Sequence, residues 1–324
     1  MKQKKDNNQL SVNKDRRRLL AASAAVTTTA GLGLTPNQLL AQSMADKSKA
    51  TPNAIKNTMN IGDFEVSTLL AGTRTAPEPQ TIFGMNVSAE EFAAVSAQNF
   101  IPADKNQFFF TPTVVRAGSE VVLFDTGLNP DGILGPLNAA GVSAEEITIV
   151  VVTHMHGDHI GGLSDDNGSP TFPNARYVTG QKEYDAWAKM DSDPFNAKVK
   201  PLAEKMSFIG DGDSVISGIT SVAANGHTPG HMTYMLESNG QQLLLIADTA
   251  NHYVWSLAYP DWEVKFDMDK AAAAASRKQI LGMLSADKIP FVGYHMPFPG
   301  VGYVAPRGEG GFQYVPMTYQ MLVG

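Results

Sequence analysis

The chain has 324 residues, 43% of them hydrophobic and 18% charged, with 29 Gly, 19 Pro and no Cys. That is a globular balance with room for one large α/β domain, and any metal it binds must be held by His and carboxylate rather than thiolate. The net charge of −7 deepens to −12 without the first 45 residues, which hold seven Lys/Arg and two Asp, and so acidic a body argues against nucleic acid or an anionic membrane as partner.

Residues 1–45 read as an export leader with its linker, and residues 46–324 as a single domain. Lys2, Lys4, Lys5, Lys14 and Arg16 to Arg18 precede a mild apolar stretch from Leu19 to Leu34, and Ser43-Met44-Ala45 offers small residues like a cleavage site. Arg16-Arg17-Arg18-Leu19-Leu20 is similar to a twin-arginine signal, which implies a periplasmic or secreted protein. No later segment is apolar for long enough to span a bilayer. Met59 to Ala71 is expected to open the domain as a strand, and Ser88-Ala-Glu-Glu91 to cap a helix through Phe92 and Val95. Phe108 to Arg116 and Glu120 to Phe124 predict a hairpin about Ala117-Gly118-Ser119. Ile147 to Thr153, nearly all β-branched, predicts a strand buried on both faces. Gln181 to Met190 reads as helix, Ile219 to Ala223 as extended, and Met232 to Glu237 with Gln241 to Ile246 as a hairpin about Ser238-Asn239-Gly240. Lys270 to Leu284, with five consecutive alanines, is the clearest helix, and Ile289 to Val292 a closing strand. Two batches of hairpins, each followed by helix, predict a sheet sandwich covered by helices on both outer faces.

The chemistry concentrates in His154-Met155-His156-Gly157-Asp158-His159, directly after the buried strand. Three histidines and an aspartate in six residues are costly to bury unless paired or bound to metal. In an extended chain His154 and His156 fall on the same side, so their rings can converge.

This string resembles the signature of the metallo-β-lactamase superfamily. Four further motifs are similar to that family's: Asp125-Thr126-Gly127, Gly226-His227-Thr228-Pro229-Gly230-His231, Ala247-Asp248-Thr249 and Tyr294-His295-Met296. The resemblance implies an α/β, four-layer αβ/βα sandwich with two central mixed β-sheets flanked by helices. It also implies two divalent transition-metal ions, zinc first, with manganese, cobalt or iron compatible with the same ligands. His154, His156 and His227 would hold one ion, Asp158, His159 and His295 the other, and Asp248 would bridge them. Asp125 would orient a ligand histidine, or simply cap its turn. Asp158 and Asp248 are the expected catalytic carboxylates. His231 is expected in support near the site, and His252 either at the pocket or on the surface.

Asp248, the tail from Tyr294 to Gly300 and the Phe312 to Pro316 segment resemble the lactonase and methyl parathion hydrolase branch. On that resemblance Leu134 and Trp187 would line the substrate pocket, Leu134 standing where a phenylalanine would be. The expected reaction is hydrolysis of a lactone, ester or organophosphate triester, a small molecule, by hydroxide generated at the metal pair. An exported β-lactam hydrolase is the alternative, and an inactive metal-binding module a third reading. A homodimer is left open.

Overall fold

The computed structural model describes residues 55–321, within a compact unit running from Ala54 to Gly324. The leader read at residues 1–45, with its arginines and its cleavage site, lies outside the described residues. Among those described, no helix is long and apolar enough to cross a membrane.

Strands β1 (Lys56–Ile61) and β2 (Phe64–Leu69) open the fold. A two-stranded ribbon follows, β3 (Gly72–Pro77) with β4 (Lys105–Phe110), and helix α1 (Ala89–Gln98) lies between its strands in sequence. Next come β5 (Thr113–Ala117), β6 (Glu120–Phe124), α2 (Pro130–Ala139), β7 (Ile149–Val152) and the single turn α3 (Gly157–Ile160). Then β8 (Arg176–Gly180), α4 (Gln181–Trp187), α5 (Asp193–Lys198) and β9 (Met206–Ile209) complete the first half. The first sheet has the order β1-β2-β5-β6-β7-β8-β9, and from β6 onward its strands pair in parallel. The second half holds β10 (Ser214–Ile216), β11 (Ile219–Ala223), β12 (Met232–Ser238), β13 (Gln241–Ala247), helix α6 (Lys270–Asp287), β14 (Phe291–Gly293), β15 (Val301–Pro306) and β16 (Phe312–Pro316). They form a second seven-stranded sheet in sequence order, with β13 and β14 parallel.

Side-chain alternation sorts these strands into layers. Val122 and Phe124 of β6 meet Leu243 and Leu245 of β13 in a core between the sheets. The alternate residue Leu123 faces Ile133 and Leu137 of α2 and Phe195 of α5, while Leu244 and Ile246 face Ile280, Leu281 and Leu284 of α6. The result is the expected helix–sheet–sheet–helix sandwich.

Two expected strands divide. Ile61 and Phe64 pair across Gly62-Asp63, with Gly62 at φ 55, so the opening strand is a tight hairpin. Thr111-Pro112 splits the run from Phe108 to Arg116, sending β4 to the ribbon and β5 to the sheet. A proline has no N–H to give a central strand, so the break falls there. Ser88 caps α1 as expected, its Oγ accepting from Glu91 N at 3.1 Å.

Candidate metal centre

Four of the seven expected ligands stand on the loop that leaves β7, Asp248 and His295 follow β13 and β14, and His227 stands on the loop between β11 and β12. Ligand sites at the carboxyl ends of parallel strands are a general property of open α/β sheets. After β7 the chain stays extended through His156, so Met155 enters the core while His154 and His156 share the opposite side. The α3 turn then carries Asp158 and His159 to a second position.

The structure gathers these residues into two groups. His154, His156, His227 and Asp248 form one, Asp158, His159 and His295 the other, and within each group the candidate ligand atoms lie within 4.8 Å of one another. His156 Nδ1 is 3.1 Å from His154 Nε2 and 3.0 Å from His227 Nε2. In the second group His295 Nε2 is 3.4 Å from Asp158 Oδ2, and His159 Nε2 is 3.8 Å from the same oxygen. Asp248 reaches both groups: Oδ2 is 3.3 Å from His227 Nε2 and 3.2 Å from His295 Nε2, and Oδ1 is 3.2 Å from His159 Nε2.

Proton counting tests whether these donors suit a metal. His227 Nδ1 lies 2.9 Å from Asp267 Oδ1, to which only an N–H can donate, so in the neutral ring Nε2 keeps its lone pair. The Thr153 hydroxyl donates to Asp125 Oδ2 at 2.9 Å, so at 3.1 Å it accepts from His154 Nδ1, and His154 Nε2 also keeps its lone pair. Both lone pairs aim at His156 Nδ1, which has one proton at most to offer. His159 Nε2 and Asp248 Oδ1 face each other, buried, with no hydrogen bond. With every ring neutral, protons leave these lone pairs unmet, and a cation satisfies the set. The nitrogen separations approach the roughly 3.3 Å edge of a tetrahedron with bonds of about 2.0 Å. The donor set fits two metal ions.

The electrostatics divide the histidines by their contact with carboxylates and not by group. Burial, with neighbouring imidazoles, pushes His154 well below its ordinary value and His156 down to about 3. Burial also opposes protonation of His227 and His295, but adjacent carboxylates outweigh it and raise them to about 9 and about 10. Asp248, though buried, is held well below the ordinary carboxylate value by His295 and His159. The carboxylate charge concentrated here is what bound cations would neutralise.

His154, His159, His227 and His295 are held from behind, as metal-binding histidines generally are. Asp125 Oδ2 lies 2.8 Å from His159 Nδ1, and Asp125 Oδ1 accepts Thr153 N at 2.9 Å. This aspartate therefore orients a ligand and also fixes its turn. It does so at φ 59, a left-handed conformation that aspartate tolerates. His295 Nδ1 donates to Phe109 O at 2.8 Å. His231 is buried, donates from Nδ1 to Ala224 O and accepts Asp248 N–H at Nε2, 3.1 Å each, so it holds the Asp248 backbone in place. His252 is buried among aromatic rings, neither on the surface nor a ligand.

Three supporting residues are absent from the expectations above. Glu183, fully buried on α4, accepts Met155 N at 3.0 Å, the Thr228 hydroxyl at 2.8 Å and Gly230 N at 2.7 Å, tying the loop of His154 to that of His227. Asp267 holds His227 and is itself held by Arg277 Nη2 at 2.7 Å. Arg277, 1% exposed, also donates to Thr249 O and Pro260 O. A signal for Arg277 exists in the sequence, since Ala273, Arg277, Ile280, Leu281 and Leu284 recur at helical spacing on one buried face.

The centre opens into a cavity of about 360 Å³ lined by Arg74, Phe108, Phe110, Leu128 and Phe266 together with His156, Gly157, Asp158, Asp248 and His295. Leu134 and Trp187 are not among its lining residues, contrary to the expectation. Leu134 is half-buried on α2, whose core positions are Ile133 and Leu137. Trp187 packs against the first core cluster and touches the centre only through His156, with ring centroids 5.7 Å apart. The ribbon β3–β4 and the 266 loop supply the apolar wall instead.

A family model described as the metallo-beta-lactamase superfamily matches residues 111–290. Among curated proteins, the chain is 26% identical over 166 residues to an N-acyl homoserine lactonase of Bacillus cereus, covering 51% of this chain and 62% of that protein. It is 27% identical over 135 residues to the uncharacterized protein YobT of Bacillus subtilis (strain 168), covering 39% of this chain and 57% of that protein. These matches thus span about three fifths of the relatives' lengths. Among solved structures, AidC, described as a dizinc quorum-quenching lactonase in complex with a product, superposes with TM-score 0.76 at 25% identity, over 83% of this chain and 100% of that one. A hydrolase of the beta lactamase superfamily, AbOPH, superposes with TM-score 0.74 at 23% identity, over 83% of this chain and 100% of that one, which bears on the fold alone.

Proposed function

This chain belongs to the metallo-beta-lactamase superfamily, and from that premise we propose that it is a binuclear metal-dependent hydrolase of lactones and related esters. The observation that carries the reading is Asp248, whose two oxygens reach both ligand groups at the floor of an apolar cavity. The similarity to an N-acyl homoserine lactonase and to a dizinc lactonase supports the substrate class. The resemblance read from Asp248 speaks against a β-lactam hydrolase.

Two divalent ions bound at these groups supply an acidified water and an electrophile for the scissile carbonyl. The chain's own residues do the rest. Phe108, Phe110, Leu128 and Phe266 hold the acyl or aryl part of the substrate and exclude water. Asp158, with 23% of its side chain exposed at the cavity floor, is placed as a carboxylate to take a proton from the attacking water and pass it to the departing alkoxide. Asp125, Asp267 and the Phe109 carbonyl keep the ligand rings aimed. The three phenylalanines also favour an aryl leaving group, so aryl esters and aryl phosphotriesters form the second substrate class.

The test is elemental analysis of the purified protein with a hydrolysis panel of lactones, aryl esters, phosphotriesters and β-lactams. About two transition-metal ions per chain and a preference for lactones are expected; full activity in a metal-free preparation refutes the reading. Export is part of the proposal, and replacing Arg16 and Arg17 by lysine is expected to retain precursor in the cytoplasm, because the ammonium lacks the guanidinium's fork. Cell fractionation reads that outcome.

A further inference from the structure

A second cavity, of about 520 Å³, lies beside the ribbon and has no part in the hydrolysis proposed above. It shares His295 with the cavity at the metal centre. Phe109, whose carbonyl accepts from His295 Nδ1, also lines it, so this ring and this strand form a partition between the two spaces.

Three properties of the lining point to one kind of ligand. The first is charge. Lys105 lines the cavity, makes no ion pair among the described residues, and no aspartate or glutamate joins it there. In a chain of net charge −7 that is a local reversal of sign. The second is a directed donor. His252 Nδ1 accepts the N–H groups of Val254 and Trp255, 3.1 Å each, so the ring proton sits on Nε2. No acceptor for that N–H stands among the described residues. Burial brings His252 down to about 3, so the ring is a neutral donor at physiological pH and the positive charge comes from Lys105. The third is a flat apolar surface. Phe109 and Tyr253, both half-buried, supply it, while Tyr253 and Trp255 stack on His252 with centroids 4.7 and 4.1 Å away and Trp255 is itself closed off by Phe92.

We propose that this cavity is a second small-molecule site that binds an organic carboxylate carried on a flat apolar body, with Lys105 and His252 Nε2–H meeting the carboxylate. The aromatic residues supply the face for the body, and the cation and N–H give charge-assisted hydrogen bonds. A carboxylate is also what lactone or ester hydrolysis releases, although the site does not depend on that reaction.

The test is calorimetric titration of benzoate into the metal-loaded full chain, which needs no turnover and so stands or falls apart from the hydrolase reading. Two variants probe the cavity without touching the metal centre. Lys105→Glu reverses its charge, and Gln107→Trp, at an exposed lining position, fills it. Saturable binding to the wild-type protein is expected, weakened by about tenfold or more in each variant, with turnover in the absence of benzoate unchanged. No binding to the wild type, or equal binding to all three proteins, overturns the proposal; equal binding would place benzoate elsewhere, for instance at the metals.

Discussion

The two halves of the molecule reach the same centre by different means. The first half delivers four ligands from one loop, His154 to His159, at the end of a strand buried on both faces. The second delivers three ligands, His227, Asp248 and His295, from three separate loops. A single loop needs little help: Asp125 serves both the turn and His159, and Thr153 serves Asp125 and His154. Dispersed ligands need a separate holder each, namely Asp267 for His227, His231 for the Asp248 backbone and the Phe109 carbonyl for His295. The local ligands therefore share their holders, Asp125 and Thr153, with Glu183 anchoring the loop, whereas each dispersed ligand has a holder of its own.

Substitutions across that divide can sharpen or break the contrast. The largest effect is expected at the ligands. His156→Ala in the first half and Asp248→Asn in the second should each lower kcat/KM by about a thousandfold, roughly 4 kcal/mol of barrier. His156→Ala should cost metal from one group, whereas Asp248→Asn should lower occupancy of both; titration with a chromogenic chelator distinguishes the two. Next comes Asp267→Ala, which frees the His227 ring and leaves the Arg277 guanidinium buried without its carboxylate. Metal affinity of the first group should fall about ten- to a hundredfold and stability by about 3–5 kcal/mol, read by metal titration and urea unfolding. Glu183→Ala should cost about 3 kcal/mol, since it strands the N–H groups of Met155 and Gly230. If Asp267→Ala proves no worse for metal affinity than Asp125→Ala, the claim that dispersed ligands lean harder on their holders fails. The smallest effect concerns the pocket. Leu128→Ala should weaken kcat/KM for long-chain or aryl substrates about tenfold, from the apolar area it removes, while Leu134→Ala should leave it unchanged. Paired kinetics on a short and a long lactone decide between those two leucines.

The sequence displays the local half openly. His154, His156, Asp158 and His159 stand in six residues, and the β-branched run before them suits a buried strand. His227, Asp248 and His295 are each a lone residue, legible through motifs shared with a family and not through spacing. Asp267, Arg277 and Glu183 stay hidden because a buried ion finds its partner through tertiary packing, although the helical period of α6 does place Arg277 on the inner face. The pocket wall is illegible in the sequence for a related reason. Leu134 and Trp187 carry over by position in a motif, but the wall is built by Phe108 and Phe110 on a ribbon outside both large sheets. Turn residues decided the divided strands, with Gly62-Asp63 and Thr111-Pro112 outweighing apolar continuity.

The parallel pairing of β13 with β14 has a consequence in time. Two parallel strands cannot be joined by a tight turn, so the chain between them, including α6, must be laid down before Asp248 and His295 become neighbours. Contacts between residues so far apart in sequence form late in folding, after the entropy of closing the long loop has been met. The His-x-His-x-Asp-His string, by contrast, is a chelator as soon as a few residues are extended. Those four residues are therefore expected to stand near one another before Asp248 and His295 meet.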